Sequence, residues 1–310
     1  MNTLILPRIL NKSRISNNYI YQLILECETV EVIFVPLTTN RVNGYILTNL
    51  SDPILITPTK QWSEISNYDK VLYLKNLNDY QNIEECIDKD FIWLKHPLLN
   101  QEYTLTEINN SWENSLTLKK ENRERGIKGL RRPQIGAIYA TLGHWEVSNE
   151  TATLVMPTGT GKTETMLSLL LMGNIEKLLV IVPTDALRKQ VSDKFIDFGI
   201  LHKVLELLNE NTLYPKVGVL KSKLSTSEEI EEFFNRSNVI ISTAQIVTGM
   251  LLDLQQCIAN KCSHLFIDEA HHVGATTWKS FKKEFSSKKI LQFTATPFRN
   301  DNKSLDGKII

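Results

Sequence analysis

The sequence predicts an α/β protein in which a parallel β-sheet is flanked by helices and preceded by a smaller β-rich or α+β domain. From about residue 151 onward, short apolar runs alternate with helix-like segments, a pattern typical of parallel sheets. Two segments rich in reactive side chains each follow such a run, where a parallel sheet collects its ligands. The predicted strands of this sheet are residues 151–156, 177–182, 217–220, 238–242, 264–267 and 290–293.

The first 105 residues show a different pattern, in which short β-rich runs are separated by polar turns. The predicted strands are residues 19–25, 30–35, 44–48, 54–57 and 70–74, and Asn43-Gly44 is predicted to form a hairpin turn. We therefore expect an accessory domain over residues 1–105, a linker with some helix over residues 106–129, and the parallel-sheet domain over residues 130–310.

The composition predicts a soluble protein with a full hydrophobic core. Of the 310 residues, 42% are hydrophobic and 23% are charged. Lysine plus arginine equal aspartate plus glutamate at 35 each, so any surface for a polyanion must be local. The best local candidate, residues 119–132, has seven basic and two acidic side chains, but a solvated linker explains it equally well.

Cysteine usage favours a reducing cytoplasm. Cys27, Cys86, Cys257 and Cys262 show no paired CxxC spacing. A zinc site that used Cys257, Cys262 and His264 would lack a fourth ligand. No apolar run approaches the roughly 18 residues of a membrane helix, and no signal peptide is evident, so we expect a cytoplasmic protein without a membrane partner.

Residues 153–164 combine an apolar strand with a glycine-bearing turn, an arrangement that holds phosphates. Backbone N–H groups around Gly159 and Gly161 can converge on a phosphate at the N-terminus of the next helix. Lys162 is expected to reach the β- and γ-phosphate oxygens and Thr163 to bind Mg²⁺. The strict phosphate-loop pattern has glycine where this chain has Met156, so a chance turn is the alternative. The expected nucleotide-binding residues are Pro157, Thr158, Gly159, Thr160, Gly161, Lys162 and Thr163.

A second apolar run delivers Asp268 and Glu269 to the end of a predicted strand. Asp268 suits contact with Mg²⁺, and Glu269 can orient and deprotonate a water molecule that attacks the γ-phosphate. An acidic pair at a strand end can also be a helix cap or a solvated turn. Together with the phosphate loop, the pair indicates a nucleoside triphosphatase, with Lys162, Asp268 and Glu269 as catalytic residues and Thr163 and Asp268 as metal ligands.

The order of the remaining motifs resembles the superfamily 2 nucleic-acid helicases and translocases, the DEAD/DEAH-box proteins in the broad sense. The resemblance covers about residues 130–310 and implies a RecA-like first lobe. Within the superfamily, His272 and residues 294–301 most resemble the motor subunits of type III restriction enzymes. The matching segments are residues 131–137, 156–164, 182–187 with Gln190, 241–245, 268–271 and 293–299.

This resemblance implies further site residues. Gln134 is expected to read the adenine edge, because its amide can both donate and accept hydrogen bonds. His271, Thr294 and Thr296 are expected to couple the ATP site to strand movement, although either threonine can equally be a strand-end cap. A zinc site at His271 and His272 is not expected, because adjacent residues at a strand end point in opposite directions.

The expected nucleic-acid contacts follow two further strands and comprise Pro183, Thr184, Arg188, Thr243 and Gln245. A helix N-terminus at Thr184 can bind a backbone phosphate without reading sequence. Simple capping of that helix by Thr184 is the alternative, and the two roles are compatible.

The function that the resemblance implies is an ATP-dependent nucleic-acid helicase or translocase that uses ATP and Mg²⁺. DNA is favoured over RNA as the substrate, in a restriction or phage-defence system with a nuclease or defence subunit as partner. Because motors of this superfamily need a second RecA-like lobe, we expect that lobe in a longer chain or in trans, and low activity without it. The alternative is an ATP-sensing scaffold or protein-binding module without translocation.

Overall fold

A computed structural model describes residues 2–38, 43–61, 63–77, 91–269, 276–296 and 307–310 of the protein. The chain forms two compact units. The first comprises Met1–Asn11 and Leu23–Glu102, and the second comprises Lys12–Gln22 and Tyr103–Ile310. Residues 12–22 lie within the range expected for the accessory domain and belong to the second unit.

The first unit is built on a six-stranded, mainly antiparallel sheet of order β1-β4-β5-β6-β7-β8. Its strands are β1 (Asn2–Leu6), β4 (Glu28–Thr38), β5 (Asn43–Thr48), β6 (Ile54–Thr57), β7 (Lys70–Tyr73) and β8 (Ile92–Lys95), with a 3-10 helix over Ser63–Asn67. Only the β6–β7 pair is parallel among the pairings described. Buried side chains such as Leu4, Leu47 and Ile56 form its core. This unit confirms the prediction of a β-rich N-terminal region.

The predicted Asn43-Gly44 turn is wrong, because both residues lie within β5. Asn43 pairs with Thr38 and Gly44 with Leu37 in the antiparallel ladder with β4. The connection between the two strands therefore falls on residues 39–42, which lie outside the described residues.

The second unit is built on a nine-stranded sheet of order β15-β9-β14-β13-β10-β12-β11-β3-β2. Its strands are β2 (Ile9–Ile15), β3 (Asn18–Leu25), β9 (Ala152–Val155), β10 (Leu178–Val182), β11 (Lys216–Val219), β12 (Val239–Thr243), β13 (His264–Ile267), β14 (Lys289–Thr294) and β15 (Lys308–Ile309). The pairings from β15 through β11 are parallel. The predicted parallel sheet is thereby confirmed, and its six predicted strands correspond to β9–β14.

Helices cover the faces of this sheet, as the continuous burial of its strands requires. All five residues of β10 and all five of β12 are buried, which is typical of strands enclosed on both faces. The helices are α1 (Leu105–Ser111), α2 (Arg132–Val147), α3 (Lys162–Met172), α4 (Asp185–Ile196), α5 (Ile200–Lys203), α6 (Ser227–Asn235), α7 (Ala244–Thr248), α8 (Leu252–Lys261) and α9 (Thr276–Lys283). Among the described residues, no helix is long and apolar enough to cross a membrane.

The segment expected to be a linker, residues 106–129, packs into the second unit. Trp112 is buried, and its indole N–H donates to the carbonyl oxygen of Leu213 at 2.9 Å. The backbone N–H of Thr117 donates to the carbonyl oxygen of Leu207 at 2.8 Å. A segment with a buried tryptophan and paired backbone is structural, although its exposed side chains remain basic.

Candidate functional site

The phosphate loop lies between β9 and α3, at the carboxyl edge of the sheet. Gly159 has a φ of 82° and Gly161 a φ of 92°, values in the left-handed region that disfavours other residues. Met156, the departure from the strict pattern, is only 3% exposed, and its backbone N–H donates to the carbonyl oxygen of Thr294 at 2.8 Å. The side chain at position 156 therefore belongs to the core.

Two side chains from the start of α2 hold the loop from one side. The Gln134 amide accepts a hydrogen bond from the Arg131 backbone N–H at 2.8 Å and donates to the carbonyl oxygen of Gly161 at 3.2 Å. Arg131 donates through Nη1 to the carbonyl oxygen of Gly159 at 2.7 Å. Gln134 thus lies against the loop with both ends of its amide engaged, and Arg131 has a positioning role that the sequence reasoning missed.

The ammonium of Lys162 forms a hydrogen-bonded ion pair with the carboxylate of Glu269. The two side chains are 12% and 17% exposed, so the pair is largely removed from solvent. Residues that are 107 positions apart in the sequence are therefore in direct contact at the site. Glu269 also has a φ of 49°, a left-handed conformation that is uncommon for glutamate and is found at functional sites.

Asp268 follows the last residue of β13 and is 6% exposed. Its backbone N–H donates to the carbonyl oxygen of Ile181, and its carboxylate accepts the backbone N–H of Glu269 at 3.0 Å. The pKa of Asp268 is raised to about 6, chiefly by burial; the Lys162 ammonium opposes this rise and the Glu269 carboxylate adds to it. A carboxylate that is buried beside a second carboxylate is well suited to bind a cation, because the cation compensates its charge.

These residues line one cavity of about 500 Å³, within the size range of small-molecule sites. The cavity is lined by Gln134, by Asp268 with Glu269, and by the loop residues Thr158, Gly159, Gly161, Lys162 and Thr163. From α4, Gln190 and Lys194 also line it, and Lys194 pairs with Glu164 at 2.8 Å. The sequence reasoning missed the Glu164–Lys194 pair, because nothing in the local pattern relates the faces of two different helices.

The two threonines expected to couple the site to strand movement lie at the end of β14, the strand between β9 and β13. Thr294 is buried, and its hydroxyl donates to the carbonyl oxygen of Thr296 at 2.7 Å. The carbonyl oxygen of Thr294 also accepts the Met156 N–H at the entrance to the loop. His271, His272 and Arg299 lie outside the described residues.

The expected nucleic-acid contacts lie on the neighbouring strands β10 and β12, which are paired in parallel with Val182 opposite Thr243. Thr184 is exposed, and its hydroxyl accepts a hydrogen bond from the Leu187 N–H at 3.3 Å. It therefore caps α4, which is one of the two roles expected for it. Pro183 is half-buried and Gln245 is exposed, whereas Thr243 is largely buried.

Arg188 does not lie on the surface with the other expected contacts. It is 7% exposed and forms an ion pair with Asp185 at 2.9 Å. In this arrangement its charge is already neutralised by a neighbouring carboxylate. Of the five expected contacts, Thr184 and Gln245 are the exposed ones.

The family model described as "Type III restriction enzyme, res subunit" matches residues 127–299 of this chain. No curated protein matches the chain.

Several solved structures are similar to parts of the chain. The Hef helicase domain from Pyrococcus furiosus is 22% identical, with a TM-score of 0.34, over 54% of this chain and 34% of that one. A hypothetical ATP-dependent RNA helicase from Sulfolobus tokodaii is 22% identical, with a TM-score of 0.38, over 62% and 51%. The UvsW helicase from bacteriophage T4 is 17% identical, with a TM-score of 0.40, over 66% and 64%. The chain thus spans between one third and just under two thirds of these structures.

Proposed function

Because this chain belongs to the family of the type III restriction enzyme res subunit, we propose that it is the ATP-binding lobe of a superfamily 2 motor that moves on or unwinds nucleic acid. The observation that carries this proposal is the single cavity in which Lys162, Asp268 and Glu269 meet. The three residues come from two separate segments of the sequence, and a chance turn at the phosphate loop would not bring them together.

The residues that line the cavity suit a magnesium-bound triphosphate. Mg²⁺ prefers oxygen ligands, and the Thr163 hydroxyl and Asp268 carboxylate are the oxygen groups that we assign to it. When bound, the ion would neutralise phosphate charge and polarise the reacting phosphoryl group. The loop from Pro157 to Thr163 would bind the phosphates through its backbone N–H groups.

We assign Lys162 to binding the triphosphate and Glu269 to orienting water and accepting its proton. Because these two side chains are paired with each other, a triphosphate must compete with Glu269 for the Lys162 ammonium. Release from Lys162 would remove this pairing from the carboxylate that we assign as the base. The ion pair therefore links nucleotide binding to activation of the catalytic carboxylate.

Gln134 remains our candidate for recognition of the adenine base, and Thr294 with Thr296 and His271 for coupling to strand movement. In the Gln134 amide, one N–H and one lone pair of the carbonyl oxygen are not used by the two loop contacts. An adenine edge can engage these without breaking the bonds that position the loop.

The nucleic acid that we propose is DNA, because the family is that of a restriction subunit. Thr184 and Gln245, with Pro183, Arg188 and Thr243 beside them, are the proposed backbone contacts. A second RecA-like lobe, in a longer chain or in trans, would complete the motor and supply the arginines that stabilise the transferring phosphate. A restriction or phage-defence role with a nuclease partner is part of the same proposal.

Titration calorimetry of the 310-residue chain with ATP and Mg²⁺ tests the site. Lys162→Ala should abolish ATP binding, whereas Lys279→Ala, which removes an exposed lysine of α9, should not change it. Glu269→Gln should bind ATP at least as tightly as the wild type but lower single-turnover hydrolysis by about 10²-fold or more, since it removes the general base.

Absence of ATP binding by the wild-type chain, or full binding by Lys162→Ala, would refute the proposed site. Binding without hydrolysis even at excess protein would instead support the ATP-sensing scaffold.

A further inference from the structure

The β2–β3 hairpin extends the central sheet beyond its parallel part. β3 pairs antiparallel with β11, with Tyr19 opposite Val219 and Gln22 opposite Lys216. Because β3 runs against β11, the hairpin turn at Ser16 and Asn17 lies at the carboxyl edge of the parallel strands. This is the edge that holds the phosphate loop and the proposed nucleic-acid contacts.

A buried asparagine fixes the turn to the loop that follows β11. The side-chain oxygen of Asn18 accepts the backbone N–H groups of Lys221 at 2.7 Å and of Ser222 at 3.0 Å. Asn18 is fully buried, so these bonds are shielded from water. The positions of Lys221 and the hairpin are therefore set together.

Three cations gather around one aromatic ring of this hairpin. The Lys12 ammonium lies 4.4 Å and the Lys221 ammonium 4.9 Å from the centre of the Tyr19 ring, and the Arg14 guanidinium lies at 6.0 Å. Tyr21 extends the surface, with its ring centre 6.1 Å from that of Tyr19 and 5.7 Å from the Lys12 ammonium.

The three cations are exposed and are not neutralised by ion pairs. Within the described ranges, Lys12, Arg14 and Lys221 form no ion pair with a carboxylate. The carboxylate of Glu229 lies at the turn, where it accepts hydrogen bonds from the Ser16 hydroxyl and the Ser225 N–H. Tyrosine rings attract cations through their quadrupoles but leave the net charge in place, so the surface remains a site for an anion.

This surface continues the proposed nucleic-acid track. Lys223, two residues after Lys221, lies against Gly249 at the end of α7, the helix that carries Gln245. In strand order, the exposed groups run from β10 and β12 through β11 to β3 and β2. Strands are about 4.8 Å apart, so the hairpin adds roughly 10 Å to this edge. That length matches about three phosphates of one strand, at roughly 3.4 Å each.

We propose that Lys12, Arg14 and Lys221, held on the rings of Tyr19 and Tyr21, form an additional binding site for the phosphate backbone of nucleic acid. The inference rests on the proposed function. It extends the proposed nucleic-acid surface with residues from the N-terminal part of the sequence. Contacts of this kind strengthen binding without reading sequence.

Fluorescence anisotropy with a 20-nucleotide DNA strand, its duplex and the RNA of the same sequence tests the site. The variant Lys12→Ala with Lys221→Ala removes two cations but keeps Arg14, whose guanidinium bonds Ser16 and Asn17 in the turn. Each lost phosphate contact should lower the magnitude of the slope of log K against log salt by about 0.7 to 0.9, so the double variant should lose about 1.4 to 1.8. Affinity at 50 mM salt should fall about tenfold or more.

A matched control removes Lys261 and Lys288, which precede β13 and β14 at the opposite edge of the sheet, and should leave the slope unchanged. The variant Lys12→Arg with Lys221→Arg keeps both positive charges and should bind nucleic acid like the wild type. Weaker binding by the alanine variant would then be due to the lost charges rather than to a folding defect. ATP affinity should be the same in every variant.

An unchanged salt slope in the alanine variant, with wild-type nucleic-acid binding intact, would overturn this site and leave the proposed motor function standing. If the wild-type chain binds ATP but none of the three nucleic acids, the inference and the nucleic-acid part of the proposed function both fail.

Discussion

Replacing Gly161 with alanine should destabilise the second unit far more than the same change at Gly159. Both glycines have a left-handed φ, of 92° and 82°, which costs an alanine about 1 to 2 kcal/mol. A Cβ at Gly159 would meet nothing within 4 Å, but one at Gly161 would lie 2.0 Å from Nε2 of Gln134.

The additional cost at Gly161 follows from the bonds that Gln134 would lose. To avoid the new methyl group, its amide must leave both the Arg131 N–H and the Gly161 carbonyl oxygen. At about 1 kcal/mol for each bond, Gly161→Ala should cost about 2 kcal/mol more than Gly159→Ala. Urea unfolding followed by circular dichroism measures the difference in free energy of unfolding.

A second background isolates the contact that causes this difference. In Gln134→Ala protein the clashing group is absent, so the two alanine variants should differ by less than about 0.5 kcal/mol, the usual error of additivity. Equal costs for both glycines in the wild-type background, or an undiminished difference in the Gln134→Ala background, would refute the reasoning.

Three other changes should have measurable effects. Glu269→Gln should tighten ATP binding about tenfold by calorimetry, because it weakens the competing hold on Lys162, and looser binding would contradict the ion pair. Burial, aided by the charge of Lys289, lowers the pKa of His264 from 6.5 to about 4. Between these two pH values, His264 therefore binds a proton in the unfolded chain but not in the folded chain. Stability should therefore fall by about 3 kcal/mol as pH drops from 6.5 through 4, and His264→Phe should flatten that fall in urea unfolding. Gly143→Ala, in α2 with nothing within 4 Å of the new methyl group, should raise the free energy of unfolding by about 0.5 to 1 kcal/mol, and a decrease would show an unseen contact.

The parallel sheet could be predicted because its strands carry their own signal. β10 and β13 are short, continuous apolar runs, and each is followed by polar residues that lie at the carboxyl edge. The meeting of Lys162 and Glu269 at one site followed from the same rule, since the phosphate loop follows β9 and Glu269 lies two residues after β13, but their direct ion pair was not predicted.

What could not be predicted depends on contacts between distant segments. No local pattern indicates that Tyr19 pairs with Val219, because register is set by the partner strand and about 200 residues separate the two. The burial of Arg188 could not be predicted either. An arginine in the first turn of a helix is expected to be exposed, and the sequence does not show that it pairs with Asp185. The engagement of Gln134 by the loop carbonyl of Gly161 depends on the packing of α2 against α3.

The edge strands of the nine-stranded sheet determine which limits a fragment of this protein needs. Residues 127–299, the part that matches the family, contain neither β15, which pairs with β9, nor the hairpin strand β3, which pairs with β11. A fragment limited to those residues would lack the outermost strands and would expose the unpaired backbone N–H and C=O groups of two edge strands. Such edges promote intermolecular strand pairing and precipitation. A well-behaved fragment therefore has to keep the first two dozen residues as well as the last four.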